Sequence, residues 1–220
     1  TAAHVLIATG GHPVRPALGD AAQAMVSDDV FNMERLPDSI LIVGGGYIGC
    51  EFACILNGMG VKVTQYYRGA QILRGFDDEA RGLIAEQMRA QGIDLHLGTD
   101  LMEIEKTETG FRVKCTRGTV REFSQVLFAT GRQPNTAGLG LEAQGVGIGR
   151  QGQIIVDAYS QTAVPSIFAV GDVTGRINLT PVAIHEGVCL SETLFGKAPR
   201  SPDHEDVPAA VFSQPPVGTV

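Results

Sequence analysis

Apolar residues in this chain fall mainly in short unbroken runs closed off by glycine or proline. That pattern fits strands buried on both faces better than strands with one wet side. Ile40–Val43 and Val126–Ala129 are such runs, AAHVLIATGG and SIFAVGD (166–172) add two more, and Val61–Tyr67 and Ile93–Leu97 are further strands. Between them lie stretches with helical spacing. Tyr47–Met59 is one, and FDDEARGLIAEQMRAQG, with acids in its first turn, apolar Leu83, Ile84 and Met88 and Gly92 at its end, is another. Thr180 and Pro181 read as N-cap and first position of a third helix reaching Phe195. A short helical turn is expected at Val30–Leu36 and a strand at Ile154–Asp157, after a loop over 138–153.

The rhythm changes once. Leu101–Lys106, Phe111–Thr116 and Thr119–Phe123 alternate apolar and polar residues and are joined by TETG and TRG, which predicts an antiparallel meander. The fold class is therefore α/β, a Rossmann-type parallel sheet carrying an antiparallel β-meander. Residues 197–206 are polar and proline-containing, a linker, after which VPAAVFSQPPVGTV begins a strand.

The first strand–helix junction carries the chemistry. Gly44, Gly46 and Gly49 stand at G-x-G-x-x-G spacing between the run Ile40–Val43 and the helix from Tyr47. With 28 glycines in the chain the spacing alone is weak, but its place between strand and helix points to a dinucleotide whose pyrophosphate meets the helix N-terminus. An NAD site needs a carboxylate roughly 20 residues further on to hold the ribose 2′-hydroxyl. No acid occurs between Glu51 and Asp77; Arg68 and Arg74 stand there instead. Either alone is an ordinary solvated arginine, but together they suit a 2′-phosphate and favour NADP(H).

Composition narrows the remaining options. The 220 residues are 44% hydrophobic with a formal net charge of −7, enough for a substantial core and nothing that favours nucleic acid or an anionic membrane. No apolar run approaches the ~20 residues that span a bilayer, and no secretory leader is expected. Four scattered cysteines, Cys50, Cys54, Cys115 and Cys189, suit a reducing cytoplasmic setting. Cys50 and Cys54 lie one helical turn apart in a segment that also holds Phe52, Ile55 and Leu56, so they are expected to be buried packing residues rather than a redox pair. Asp172, closing an apolar strand, is placed to accept a hydrogen bond from a ligand hydroxyl, although a plain turn role remains open. The endings IATGG (7–11) and FATGR (128–132) echo each other and hint at two nucleotide-binding units of common design.

ATGGHP, GGGYIGCEFA, YRGAQILRGFD, ATGRQPNT, FAVGD, LTPVAI and VFSQPPVGTV, in this order, resemble the pyridine nucleotide-disulfide oxidoreductase family across essentially the whole chain. The resemblance implies a homodimeric flavoprotein using FAD and NADP(H), with glutathione disulfide as substrate; trypanothione, lipoamide and mercuric enzymes are relatives, and the arginines disfavour lipoamide. It assigns Gly44, Gly45, Gly46, Ile48, Gly49 and Glu51 to the NADP turn, Arg68 and Arg74 to the 2′-phosphate, and Gly131, Asn178 and Ala210 to lesser NADP contacts. Tyr47 matches a lid over the flavin, grouped with Glu51 on the catalytic side. Gly10, Asp172 and Thr180 match FAD contacts. The implied division is 1–10 as the end of an FAD-binding segment, 11–134 as NADP-binding, 135–205 as returning FAD-binding and central segment, and 206–220 as the start of a dimerisation domain.

Two departures matter. Gly49 stands where alanine is common in the NADP-using branch, and glycine is more typical of NAD users. The family's first FAD fingerprint, its C-x4-C dithiol and its catalytic His and Glu are not in this sequence, so an internal portion, inactive alone, is expected. A non-catalytic nucleotide-binding module is the alternative.

Overall fold

A computed structural model describes residues 2–220. In chain order the elements begin with β1 (Val5–Ile7), β2 (Gly11–Pro13), β3 (Met25–Val26), α1 (Ser27–Val30), β4 (Ser39–Val43), α2 (Tyr47–Gly58) and β5 (Lys62–Tyr67). There follow α3 (Asp78–Ala90), β6 (Asp94–Leu97), β7 (Leu101–Lys106), β8 (Phe111–Cys115), β9 (Val120–Phe123), β10 (Gln125–Phe128) and β11 (Arg132–Pro134). The chain closes with β12 (Ile167–Ala169), α4 (Thr180–Phe195), β13 (Ala209–Val211) and β14 (Val217–Thr219). These divide into two compact units, 1–12 with 132–207, and 13–131 with 208–220.

The second unit is built on a five-stranded parallel sheet, ordered β3-β10-β4-β5-β6. Both faces of β4 are covered, which is why its sequence is an unbroken apolar run. Ile40 and Ile42 pack with Cys50, Leu56, Ile84 and Met88 on the helix side. Leu41 and Val43 face Ile104, Phe111, Val113 and Phe123 of the antiparallel meander β7-β8-β9 on the other. Arg121 of β9 fastens the meander to the sheet edge through Asp94 (2.6 Å) and Thr64 (3.2 Å). Burial works against the Asp94 charge, but the hydrogen bonds from Arg121 and His96 outweigh it and hold the carboxyl below its usual range.

In the first unit β1 pairs in parallel with β12. Ile7, Ala169, Ile154 and Val173 form one small core, and Phe168, Val170 and Leu190 another. No helix among the described residues is long and apolar enough to cross a membrane.

Three local expectations are corrected. The helical turn expected at Val30–Leu36 lies at Ser27–Val30, because the Val26 N–H donates to Asp29 Oδ2 at 2.8 Å and starts the turn earlier. Ile154–Asp157 is not a strand: Ile154 makes a single bridge to Ile148, and Asp157 Oδ1 accepts from Tyr159 and Gln161 N–H to fold a turn. Thr180 is the first helical residue rather than the cap, since Ala183 N–H closes on Leu179 O at 3.0 Å. The strand expected in VPAAVFSQPPVGTV is β13, which pairs with β14 as an antiparallel hairpin.

Asp77 caps α3, its Oδ1 accepting from Glu79 and Ala80 N–H at 3.0 Å each. Asp77→Ala is expected to lower unfolding free energy by about 0.5–2 kcal/mol in a urea titration. An unchanged midpoint would show that the first turn of α3 is held by other contacts.

Candidate functional site

The sheet order fixes where a ligand can sit in the second unit. From β4 the chain runs to β5 and then β6 on one side, while β10 and β3 flank the other, so β4 and β10 meet at a topological switch point. Ligands of open α/β sheets bind beyond the carboxyl ends of strands at such a point. At this one lie Gly44, directly after β4, and Ala129–Gly131, directly after β10. Gly44 has φ +133°, and a Cβ on it would collide with the Ala129 carbonyl. Gly46 caps α2, with Cys50 N–H donating to its oxygen at 3.1 Å, and a Cβ there would meet nothing within 4 Å. The helix start is thus open to an anion.

The arginine loop is tied to this turn. Leu73 N–H donates to Gly45 O at 2.7 Å. Leu73 adopts φ +54° although its side chain is buried in the helix-side core, a conformation that costs a bulky residue about 1–3 kcal/mol. Gly98 N–H donates to Gly69 O at 2.9 Å, and Arg81 of α3 holds Ile72 O at 2.7 Å and Gln71 O at 3.2 Å. The side chains of Arg68 and Arg74 have no hydrogen bond or ion pair among the described residues, and both residues are exposed. The backbone is pinned and the guanidinium groups are available.

Tyr47 is the first residue of α2 and stands 39% exposed beside the turn. Ile48 is half-buried and Gly49 buried behind it. Glu51 Oε1 accepts Phe212 N–H at 2.9 Å, so this carboxylate anchors the segment that carries the exposed Ala210 in β13. The sequence pattern did not reveal that bond, which spans most of the chain. Gly131, φ +128°, lies in open space.

Gly10, Asp172, Asn178 and Thr180 belong to the first unit. Asp172 sits in a 3-10 turn, Gly171–Thr174, rather than on the strand that ends at Ala169. It lines a depression with Gly11, Arg132, Gln133, Gly175 and Asn178. Gly10 has φ +66°, and a Cβ on it would meet nothing within 4 Å. Asn135 stitches the two ATG endings, its Nδ2 donating to Thr9 O at 2.8 Å and its own carbonyl accepting from Thr9 Oγ1 at 2.7 Å. Thr180 is exposed at the start of α4. One residue escaped the sequence reading altogether. Glu186, 1% exposed on α4, accepts Gly171 N–H at 2.6 Å and faces Arg176 at 3.0 Å and His204 at 2.8 Å, fastening the turn that carries Asp172. An acid within a helix otherwise closing on apolar neighbours was the available signal.

Residues 1–187 match the model of the family described as pyridine nucleotide-disulphide oxidoreductase. The chain is 51% identical over 216 residues to the glutathione reductase of Burkholderia cepacia, covering 98% of this chain and 48% of that protein. It is 48% identical over 221 residues to the chloroplastic/mitochondrial glutathione reductase of Pisum sativum, covering 100% of this chain and 40% of the relative. The Cu(II) complex of the HOCl-induced flavoprotein disulfide reductase RclA from Escherichia coli superposes with a TM-score of 0.92 at 32% identity, covering 98% of this chain and 49% of that one. The chain therefore spans about half the length of the relatives it matches.

The four cysteines are free and buried. Burial pushes the Cys50 thiol up to about 12 and raises that of Cys54 as well, so neither is a thiolate at neutral pH. Iodoacetamide at pH 8 is expected to leave Cys50 unmodified in the folded protein and to label it in denaturant; rapid labelling of the native form would contradict the packing role.

Proposed function

Because the chain belongs to the pyridine nucleotide-disulphide oxidoreductase family, we propose that it carries the nucleotide- and flavin-binding parts of an NADPH-dependent glutathione-disulfide reductase. The observation that carries this reading is the pinned loop: four backbone ties at Gly69, Gln71, Ile72 and Leu73 hold Arg68 and Arg74 beside a glycine turn open at Gly46. Two available guanidinium groups on a pinned backbone suit a ribose 2′-phosphate, and NADH offers none.

In this reading Gly44, Gly45, Gly46, Ile48, Gly49 and Glu51 form the NADP turn and its helix. Gly131, Asn178 and Ala210 make lesser contacts. Tyr47, exposed where α2 begins, shields the reacting face from water until the nicotinamide displaces it. FAD fits the first unit by donor chemistry: Asp172 offers a carboxylate acceptor in an open depression, Gly10 leaves free space, and the α4 start at Thr180 favours negative charge. The flavin, when bound, relays the electrons of NADPH to a disulfide. We assign 11–134 to NADP binding, 1–10 and 135–205 to FAD binding, and 206–220 to the approach to a dimerisation domain, within a cytoplasmic homodimer active in redox homeostasis. Glutathione disulfide rests on the names of the Burkholderia and Pisum relatives.

Titrating the intact protein, Arg68→Ala and Arg74→Ala with NADPH and NADH at fixed ionic strength tests this. Each charge-assisted contact contributes about 1.5–3 kcal/mol, so either change should weaken NADPH by about one to two powers of ten and NADH hardly at all. Arg68, nearer the strand end, should show the larger loss. Equal small effects on both nucleotides, or wild type holding NADH as tightly as NADPH, would overturn the assignment.

A further inference from the structure

Gln65 is the one fully buried amide in β5. Its Nε2 donates to Gly44 O at 2.8 Å and lies 3.8 Å from Cys50 Sγ, while its Oε1 has no partner among the described residues. A half-satisfied amide in a doubly covered strand is unfavourable where a branched apolar side chain would serve, so the bond that it does make is the feature to account for.

That bond sets the direction of the turn. In a trans peptide the C=O and the following N–H point opposite ways. Gln65 draws the Gly44 oxygen toward β5, which directs the Gly45 N–H away from the sheet interior. Leu73 N–H, holding Gly45 O at 2.7 Å, does the same for the Gly46 N–H. The donors of the turn are therefore aimed by two acceptor-side anchors, one a side chain and one a main chain.

Gly49 faces the first anchor. A Cβ on Gly49 would stand 2.8 Å from Gly44 O and 3.3 Å from Gln65 Nε2, so alanine does not fit while Gln65 holds that oxygen in place. We propose that Gln65 is a positioning residue for the dinucleotide turn and that Gly49 is its steric counterpart. The pair orients the turn for either nicotinamide nucleotide and carries no information about the 2′-phosphate. This rests on the nucleotide-binding role proposed above, and it removes Gly49 as an indication of NAD.

The test compares Gly49→Ala, Gln65→Leu and the double variant in the intact, flavin-loaded protein, by titration with NADPH and NADH and by thermal unfolding. Gly49→Ala should weaken both nucleotides by a shared factor of about ten, raising KM with kcat nearly unchanged. Gln65→Leu should weaken both by about threefold with little change in the unfolding midpoint, a split that a merely structural role does not produce. In the double variant the losses should not multiply, because the released Gly44 oxygen can retreat from the new methyl. A shift of about tenfold in the NADPH:NADH ratio in either single variant, or multiplying losses, would overturn the proposal. Should Gly49→Ala fail to fold, refolding in the double variant supports the pairing, and Gln65→Leu leaving both affinities unchanged refutes it. If wild type shows no preference for NADPH, the arginine assignment fails, while equal losses of both nucleotides in the variants still uphold the pairing.

Discussion

Within three glycines the chain must leave a strand buried on both faces, reverse its main-chain direction and begin a helix whose first N–H groups stay free. Gly44 at φ +133° makes the exit and Gly46 caps the helix. A flexible turn would spend its donors on water or on itself. Here the carbonyls of Gly44 and Gly45 are each taken by a donor from the protein interior, so the donors on the other side of the same peptide planes are left facing outward. The two cores, the parallel strand order and the strained Leu73 all bear on holding those two planes.

The same geometry joins the glycine turn to the arginine loop. Leu73 touches the glycine turn through its backbone and immediately precedes Arg74. A change in the glycine turn is therefore felt by the loop that carries Arg68 and Arg74. The cost of the left-handed Leu73 is offset by burial of its side chain, an instance of local strain that persists because the surrounding structure over-determines it.

Much of this was legible in the chain. Ile40–Val43 and Val126–Ala129 announce doubly covered strands by their lack of alternation, the meander by its presence, and the glycine spacing by its place between strand and helix. What failed were segments ruled by a side chain bonding to a distant or local main chain. Asp157 folding a turn, Asp29 starting one early, and Glu51 anchoring the hairpin after Phe212 leave no periodic trace. Gln65 was invisible for a different reason: polar residues such as those within VKVTQYY are also what a half-wet strand would contain, and only the sheet order puts both its faces indoors.

β1 and β12 are neighbours in the sheet of the first unit, yet the whole stretch from 13 to 131 is inserted between them. During vectorial synthesis β1 emerges from the ribosome long before the strand that pairs with it. Were the insertion an open coil, closing that contact would bear the entropy of a very long loop. The inserted stretch contains every strand of the five-stranded sheet and the meander, so it can collapse around its own core first and draw the two ends of the loop together. The order of assembly is thus written into the connectivity, and a mutation that slows folding of the inserted unit delays the other unit as well, leaving Val5 and Leu6 as an unpaired apolar edge for longer.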